Sequence, residues 1–167
     1  YNGMKMVREQ AIPISADTGL KEIEALIAND ALPAPTSTRG ENTQADFTES
    51  YIKRLLDFVD VEKLKPLKLV VNAGNGTAGP FFDALVAELP FEVIRLNHEP
   101  DGTFPNGVPN PLLPDNREET AEAVRVHEAD FGVAWDGDFD RCFFFDHTGR
   151  FIEGYYLVGL FAAQLLQ

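Results

Sequence analysis

From residue 67 onward the hydrophobic positions fall into short blocks that change their period. "LKLVVN" (67–72) is a continuous apolar run of strand length and predicts a buried strand. A glycine-rich turn, "AGNGTAG", follows. Next comes "PFFDALVAEL", a helix that Pro80 should open, because proline suits a first-turn position. "FEVIRLN" (91–97) reads as a second strand. Beyond a long loop, "HEPDGTFPNGVPNPLLPDN", lie a helix in "REETAEAVRVHEA", a third strand in "DFGVAWD" and a fourth in "RCFFFD", with "HTGR" as a turn. Strands and helices alternating in this order predict a three-layer α/β domain with a mainly parallel, mixed sheet.

Upstream the pattern is sparser. "FTESYIKRLLDFV" predicts a helix with Phe47, Tyr51, Leu55 and Phe58 on one side. Before it, "PAPTSTRGENTQAD" (33–46) has no apolar period and reads as a connecting segment, with "RGEN" (Arg39 to Asn42) part of it. Residues 1–32 hold a short apolar stretch, "AIPIS", and a helix that Ser15 or Asp17 could cap and that runs to about Asn29. Leu20, Ile23, Leu26 and Ile27 share one face of it. Such a strand-and-helix pair buries too little to be a domain by itself. The last stretch, "EGYYLVGLFAAQLLQ", predicts a helix with no partner element after it.

The 167 residues suffice for one domain of ordinary size, or for one domain with pieces of its neighbours. No run of about 18 apolar residues occurs, so no membrane span is expected. The start, "YNGMKMVREQ", is too polar for a secretory signal and does not begin with Met, which suggests a piece of something longer. Acidic residues outnumber basic ones 27 to 14, for a net charge of −13. That balance argues against nucleic acid and anionic membrane as partners. The single cysteine, Cys142, excludes an internal disulfide and a thiolate cluster and fits a reducing, cytoplasmic setting. Its place in an apolar run predicts a small buried core residue. His98, His127 and His147 are scattered and read as surface residues.

The charge surplus matters most in "AWDGDFDRCFFFD" (134–146), where Asp136, Asp138 and Asp140 fall at every second position. In an extended segment such residues project to one side, and Gly137 lets the backbone bend. Three mutually repelling carboxylates offer hard oxygen donors, which suit magnesium better than zinc or copper and leave about three octahedral positions open. A solvated acidic turn is the plain alternative. An EF-hand is excluded: counting from Asp136, its required Gly and Glu positions hold Arg141 and His147. A haloacid-dehalogenase-type loop fits poorly, since its fifth position is here Asp140. Arg141, always charged, could grip a phosphate oxygen or pair with a neighbouring aspartate.

"DGDFDR" resembles the metal loop of the alpha-D-phosphohexomutases, usually DGDGDR. "YNGMKM", "NAGNGTAG", "DGTFPNG...NPLLP" and "EGYYLVGL" also resemble that family, in its order and spacing along essentially the whole chain. The resemblance is closest to the bacterial phosphomannomutase/phosphoglucomutase group. It implies a four-domain protein, with residues 1–32 ending domain 1, 33–46 a linker, 47–150 domain 2 and 151–167 the start of domain 3. The implied activity is magnesium-dependent interconversion of mannose 6-phosphate and mannose 1-phosphate, through a phosphoserine and a bisphosphorylated sugar. Carried over residue by residue, Asp136, Asp138 and Asp140 would ligate Mg²⁺, and Arg141 would contact phosphate or stabilise the loop. Lys5, in "YNGMK", would stand beside the phosphoserine as a proton-transfer or charge-stabilising group. The family's serine motif would lie just upstream of Tyr1, so the chain alone is expected to be inactive. Phe139 departs from the usual loop glycine. A non-catalytic metal or phosphosugar module, a phosphatase, and a preference for glucose over mannose are the competing readings.

Gly74, Gly76 and Gly79 have the GxGxxG spacing, but Glu99, about 20 residues on, sits in a loop beside Pro100, so a dinucleotide site is not expected. A tight turn with close helix packing is the favoured reading, ahead of direct phosphate contact.

Overall fold

The computed structural model describes residues 4–35, 37–38 and 40–166. Tyr1–Gly3 of "YNGMKM" and Arg39 of "RGEN" lie outside the described residues. The chain divides into two compact units, residues 1–44 and 45–167.

In the first unit, β1 (Val7–Arg8) and β2 (Ile12–Pro13) pair antiparallel. A 3₁₀ turn spans Ala16–Thr18 and the helix α1 spans Leu20–Ala28. Ser15 therefore caps the 3₁₀ turn, through a reciprocal box with Thr18, rather than the helix. Gly19, at φ 143°, separates the two. No residue of α1 is buried.

The second unit contains α2 (Thr48–Leu56), β3 (Lys68–Asn72), α3 (Ala78–Val86), β4 (Glu92–Leu96), α4 (Glu118–Val126), β5 (Phe131–Trp135), β6 (Cys142–Phe145), β7 (Phe151–Ile152) and α5 (Gly154–Leu165). One sheet runs in the order β4-β3-β5-β6-β7. β4, β3 and β5 are parallel; β6 and β7 add on antiparallel. Alternation along the strands builds the layers. Leu69, Val71, Val133 and Trp135 face α3 and its Ala78, Phe82 and Val86. Val70, Ala134 and Phe145 face α4 and its Ala121 and Val124. Burial on both faces is why β3 reads as a continuous apolar run. Because α3 and α4 cross on opposite faces, β3 and β5 diverge from a switch point, the crevice where α/β sheets place their ligands.

Pro80 is the third residue of α3, not its first, and Thr77 is the N-cap. It still falls in the first turn, where its missing N–H costs no helical bond. The most buried residue of α2 is Ile52, 7% exposed; Tyr51 meets Phe81 and Leu55 is half-buried, while Phe47 and Phe58, at 71% and 70%, face solvent. Phe47 precedes the helix and Phe58 follows it, so neither keeps the helical face. β7 is an additional strand, paired through Phe144↔Ile152 and Phe145↔Phe151. Cys142 is exposed, not a core residue. Its thiol is nonetheless crowded by protein atoms, and desolvation pushes its pKa up to about 12, against weaker lowering by hydrogen bonds to Trp135 and Phe143. A thiol shifted in this direction favours its protonated form near neutral pH and is a poor nucleophile. His98 is mostly buried, its side chain 11% exposed, unlike the exposed His127 and His147. Among the described residues no helix is long and apolar enough to cross a membrane.

Candidate metal centre

The ladder between β5 and β6 ends at Trp135↔Cys142, so Asp136–Arg141 connect two strands at the carboxyl edge of the sheet. Asp136 is buried, while Asp138 and Asp140 are exposed. One carboxylate oxygen from each lies within 4.8 Å of the others. Oxygens about 2.1 Å from one magnesium ion sit roughly 3–4 Å apart, so a small side-chain adjustment would close the set on a cation. Hard oxygen donors at this spacing, two of them on exposed side chains, fit Mg²⁺.

The carboxylates do not converge by extended alternation. The loop turns: the Phe139 N–H donates to the Asp136 carbonyl at 3.2 Å, and Phe139 takes a left-handed φ of 62°. The turn, not the pleat, gathers the side chains. Arg141 grips the buried member. Its backbone N–H donates to Asp136 Oδ1 at 3.1 Å, and its Nε and an Nη both reach Oδ2 at 2.7 Å. Asp140 Oδ1 stands 3.5 Å from the same Nε. The charge of Asp136 and its hydrogen bond, with a smaller part from Asp140, hold the guanidinium's pKa above its ordinary value. Arg141 is therefore paired with an aspartate; about half of its side chain stays exposed and can meet a further anion.

Segments distant in sequence brace the loop. The Thr77 N–H donates to the Gly137 carbonyl at 3.2 Å. A Cβ on Gly76 would come within 2.7 Å of that same oxygen, so the glycine turn abuts the aspartate loop and only glycine fits. Phe104, from the 98–116 loop, lies against Gly137, and Pro109 against Gly74. An asparagine network ties that long loop to the sheet. Asn72 donates to Glu119 and Thr120, Asn97 to Glu119 at 2.7 Å, and Asn106 to Asn97 at 2.8 Å. Asn72, Asn97, Asn106 and Glu119 line a cavity of about 210 Å³ beside Trp135. The glycine turn thus packs closely, as expected, against the aspartate loop and Pro109 as well as at the start of α3; no local pattern marks Asn72, Asn97, Phe104 and Glu119, since only the fold brings them together.

Asp83 pins the start of the long loop, with Nε2 of His98 at 2.9 Å and Arg95 Nη at 2.8 Å. Burial raises its pKa, but hydrogen bonds from His98 and Arg95, and then their charges, leave it below the ordinary 3.8. Asp101 and Asp146 are lowered by bonds from Thr103 and Thr148. Carboxylates with depressed folded pKa values contribute stability that is whole above the unfolded value and lost as pH falls through the folded one. The urea midpoint should therefore hold steady from pH 7 to about 5 and drop below about pH 4. A midpoint unchanged at pH 3 would contradict this.

Residues 49–149 match the family described as phosphoglucomutase/phosphomannomutase, alpha/beta/alpha domain II. The chain belongs to this phosphoglucomutase/phosphomannomutase family. It is 64% identical over 166 residues to a protein of Xanthomonas campestris pv. campestris named phosphohexose mutases, covering 99% of this chain and 37% of that one. It is 54% identical over 173 residues to a phosphomannomutase of Salmonella montevideo, covering 38% of it. A crystal structure of a phosphoglucomutase/phosphomannomutase family protein from Burkholderia thailandensis superposes with a TM-score of 0.78 at 32% identity, covering 87% of this chain and 31% of that one. The chain thus spans well under half the length of its mutase relatives. Within the family match lie the sheet from β3 to β6, its flanking helices and the whole aspartate loop. Lys5 lies ahead of that match, exposed, in the 1–44 unit. A role for it at the aspartates rests on the resemblance alone.

Proposed function

We propose that this chain is the metal-loop segment of a magnesium-dependent phosphohexose mutase that interconverts mannose 6-phosphate and mannose 1-phosphate. The observation that carries the reading is the meeting of Asp136, Asp138 and Asp140 at the sheet's carboxyl edge, inside a match to the mutase family's second domain. The three carboxylates would hold the ion, and bound magnesium would offset negative charge on a transferring phosphoryl group. Arg141 fixes Asp136 and keeps N–H groups for a phosphate oxygen. Lys5 would steady or move a proton at the phosphoserine. On this reading residues 1–32 close the first domain, 47–150 form the second and 151–167 open the third.

No Ser-His-Asn-Pro occurs in the 167 residues. The chain alone should therefore convert no mannose 6-phosphate. In the full-length enzyme, Asp138→Asn should lower turnover by at least about 100-fold, and a chelator should abolish it. Undiminished turnover in that variant, or in the presence of the chelator, would overturn the assignment.

A further inference from the structure

Phe139 occupies the centre of the aspartate loop, between Asp138 and Asp140, with φ at 62°. That conformation is natural for glycine and unfavourable for phenylalanine. Something must hold it. Its ring stacks on Phe81 of α3, centroids 6.3 Å apart and planes 22° from parallel. It also meets Trp135 edge-on at 5.7 Å and 80°. The contacts continue at both ends. Tyr51 of α2 meets Phe81 at 5.8 Å, and the buried Trp135 packs on Phe82 at 5.2 Å. Trp135 is also the residue immediately before Asp136. The Phe139–Trp135 contact therefore closes the loop on itself, and Phe81 ties the closure to a helix seated in the core.

We propose that Phe139 is a positioning residue for the aspartates: its ring, clamped between Phe81 and Trp135, imposes the left-handed turn that brings Asp138 and Asp140 toward Asp136. A glycine at this place reaches the same φ without strain but leaves the loop free to sample other conformations. Phenylalanine accepts the strain and removes that freedom. The importance of the placement rests on the metal reading above; the placement itself does not.

Phe139→Tyr, Phe139→Ala and Phe139→Gly separate ring from backbone. The first keeps the ring, the second loses it and keeps the strain, and the third loses both. In the 167-residue chain, ¹⁵N relaxation should give order parameters of about 0.85 at Asp138 and Asp140 for the parent and the tyrosine variant. Below about 0.6 is expected for alanine and glycine, with Val70 and Val133 unchanged in all as proof of folding. Mn²⁺ affinity, followed by the spin-resonance signal of the free ion, should weaken about tenfold with the ring gone. A loop that stays ordered in both the alanine and the glycine variants would overturn the proposal. Asp138→Asn serves as a separate control. If it binds Mn²⁺ like the parent, the metal reading fails, while the order parameters still decide what Phe139 does.

Discussion

Gly79→Ala should destabilise the 45–167 unit by about 3 kcal/mol or more, although alanine is by far the better helix former. Gly79 sits in the first turn of α3, and an added Cβ would run into the carbonyl oxygen of His98. Neither side can yield cheaply. Ala78, Phe82 and Val86 lock α3 onto the sheet, and His98, two residues past the end of β4, is tied to Asp83. The propensity gain of about 1 kcal/mol is outweighed by a backbone clash that must displace a helix or a strand end. Gly102 and Gly154 have open space around a built Cβ, so alanine there should change stability by no more than about 0.5 kcal/mol. Urea unfolding of the three variants reads the difference. A Gly79→Ala midpoint at or above the parent's would contradict the packing described.

Asp136→Ala should cost about 2 kcal/mol and remove cation binding altogether. The carboxylate is 1% exposed and accepts the backbone N–H and two guanidinium nitrogens of Arg141. Its loss leaves those donors unmatched at the end of the β5–β6 ladder. The half-exposed Arg141 side chain can turn to water, which holds the cost below that of a fully buried pair. Asp136→Asn keeps an acceptor and should cost roughly half as much. Calorimetric melting distinguishes the two. An alanine variant as stable as the parent would show that the Asp136–Arg141 link does not secure the loop.

The sheet was legible because β3 and β5 are buried on both faces, which writes an apolar run into the chain. β7 was not, because two residues after a turn carry no period. The face of α2 is legible only in its middle for a related reason. Phe47, Tyr51, Leu55 and Phe58 keep a helical spacing, yet the helix spans only Thr48–Leu56, so Tyr51 and Leu55 lie on it and the two phenylalanines do not, and the most buried position, Ile52, is absent from that series. At the site, residue types announced the chemistry but not the geometry. Three aspartates next to one arginine were visible in "DGDFDR"; whether Arg141 faces Asp136 or an anion was not. The turn at Phe139, the contact from Gly76 and the ring of Phe104 depend on segments far apart in sequence, which no local pattern records.

Binding of a divalent cation by the aspartate loop is the step on which the proposed function depends. Titration of the 167-residue chain with Mn²⁺, with free ion followed by spin resonance, tests it most directly. One weak site per chain is expected, because only part of the ion's shell would come from these residues, with affinity falling at least about tenfold in Asp138→Asn. Equal binding by the parent and Asp138→Asn, or no binding by either at millimolar Mn²⁺, would contradict it.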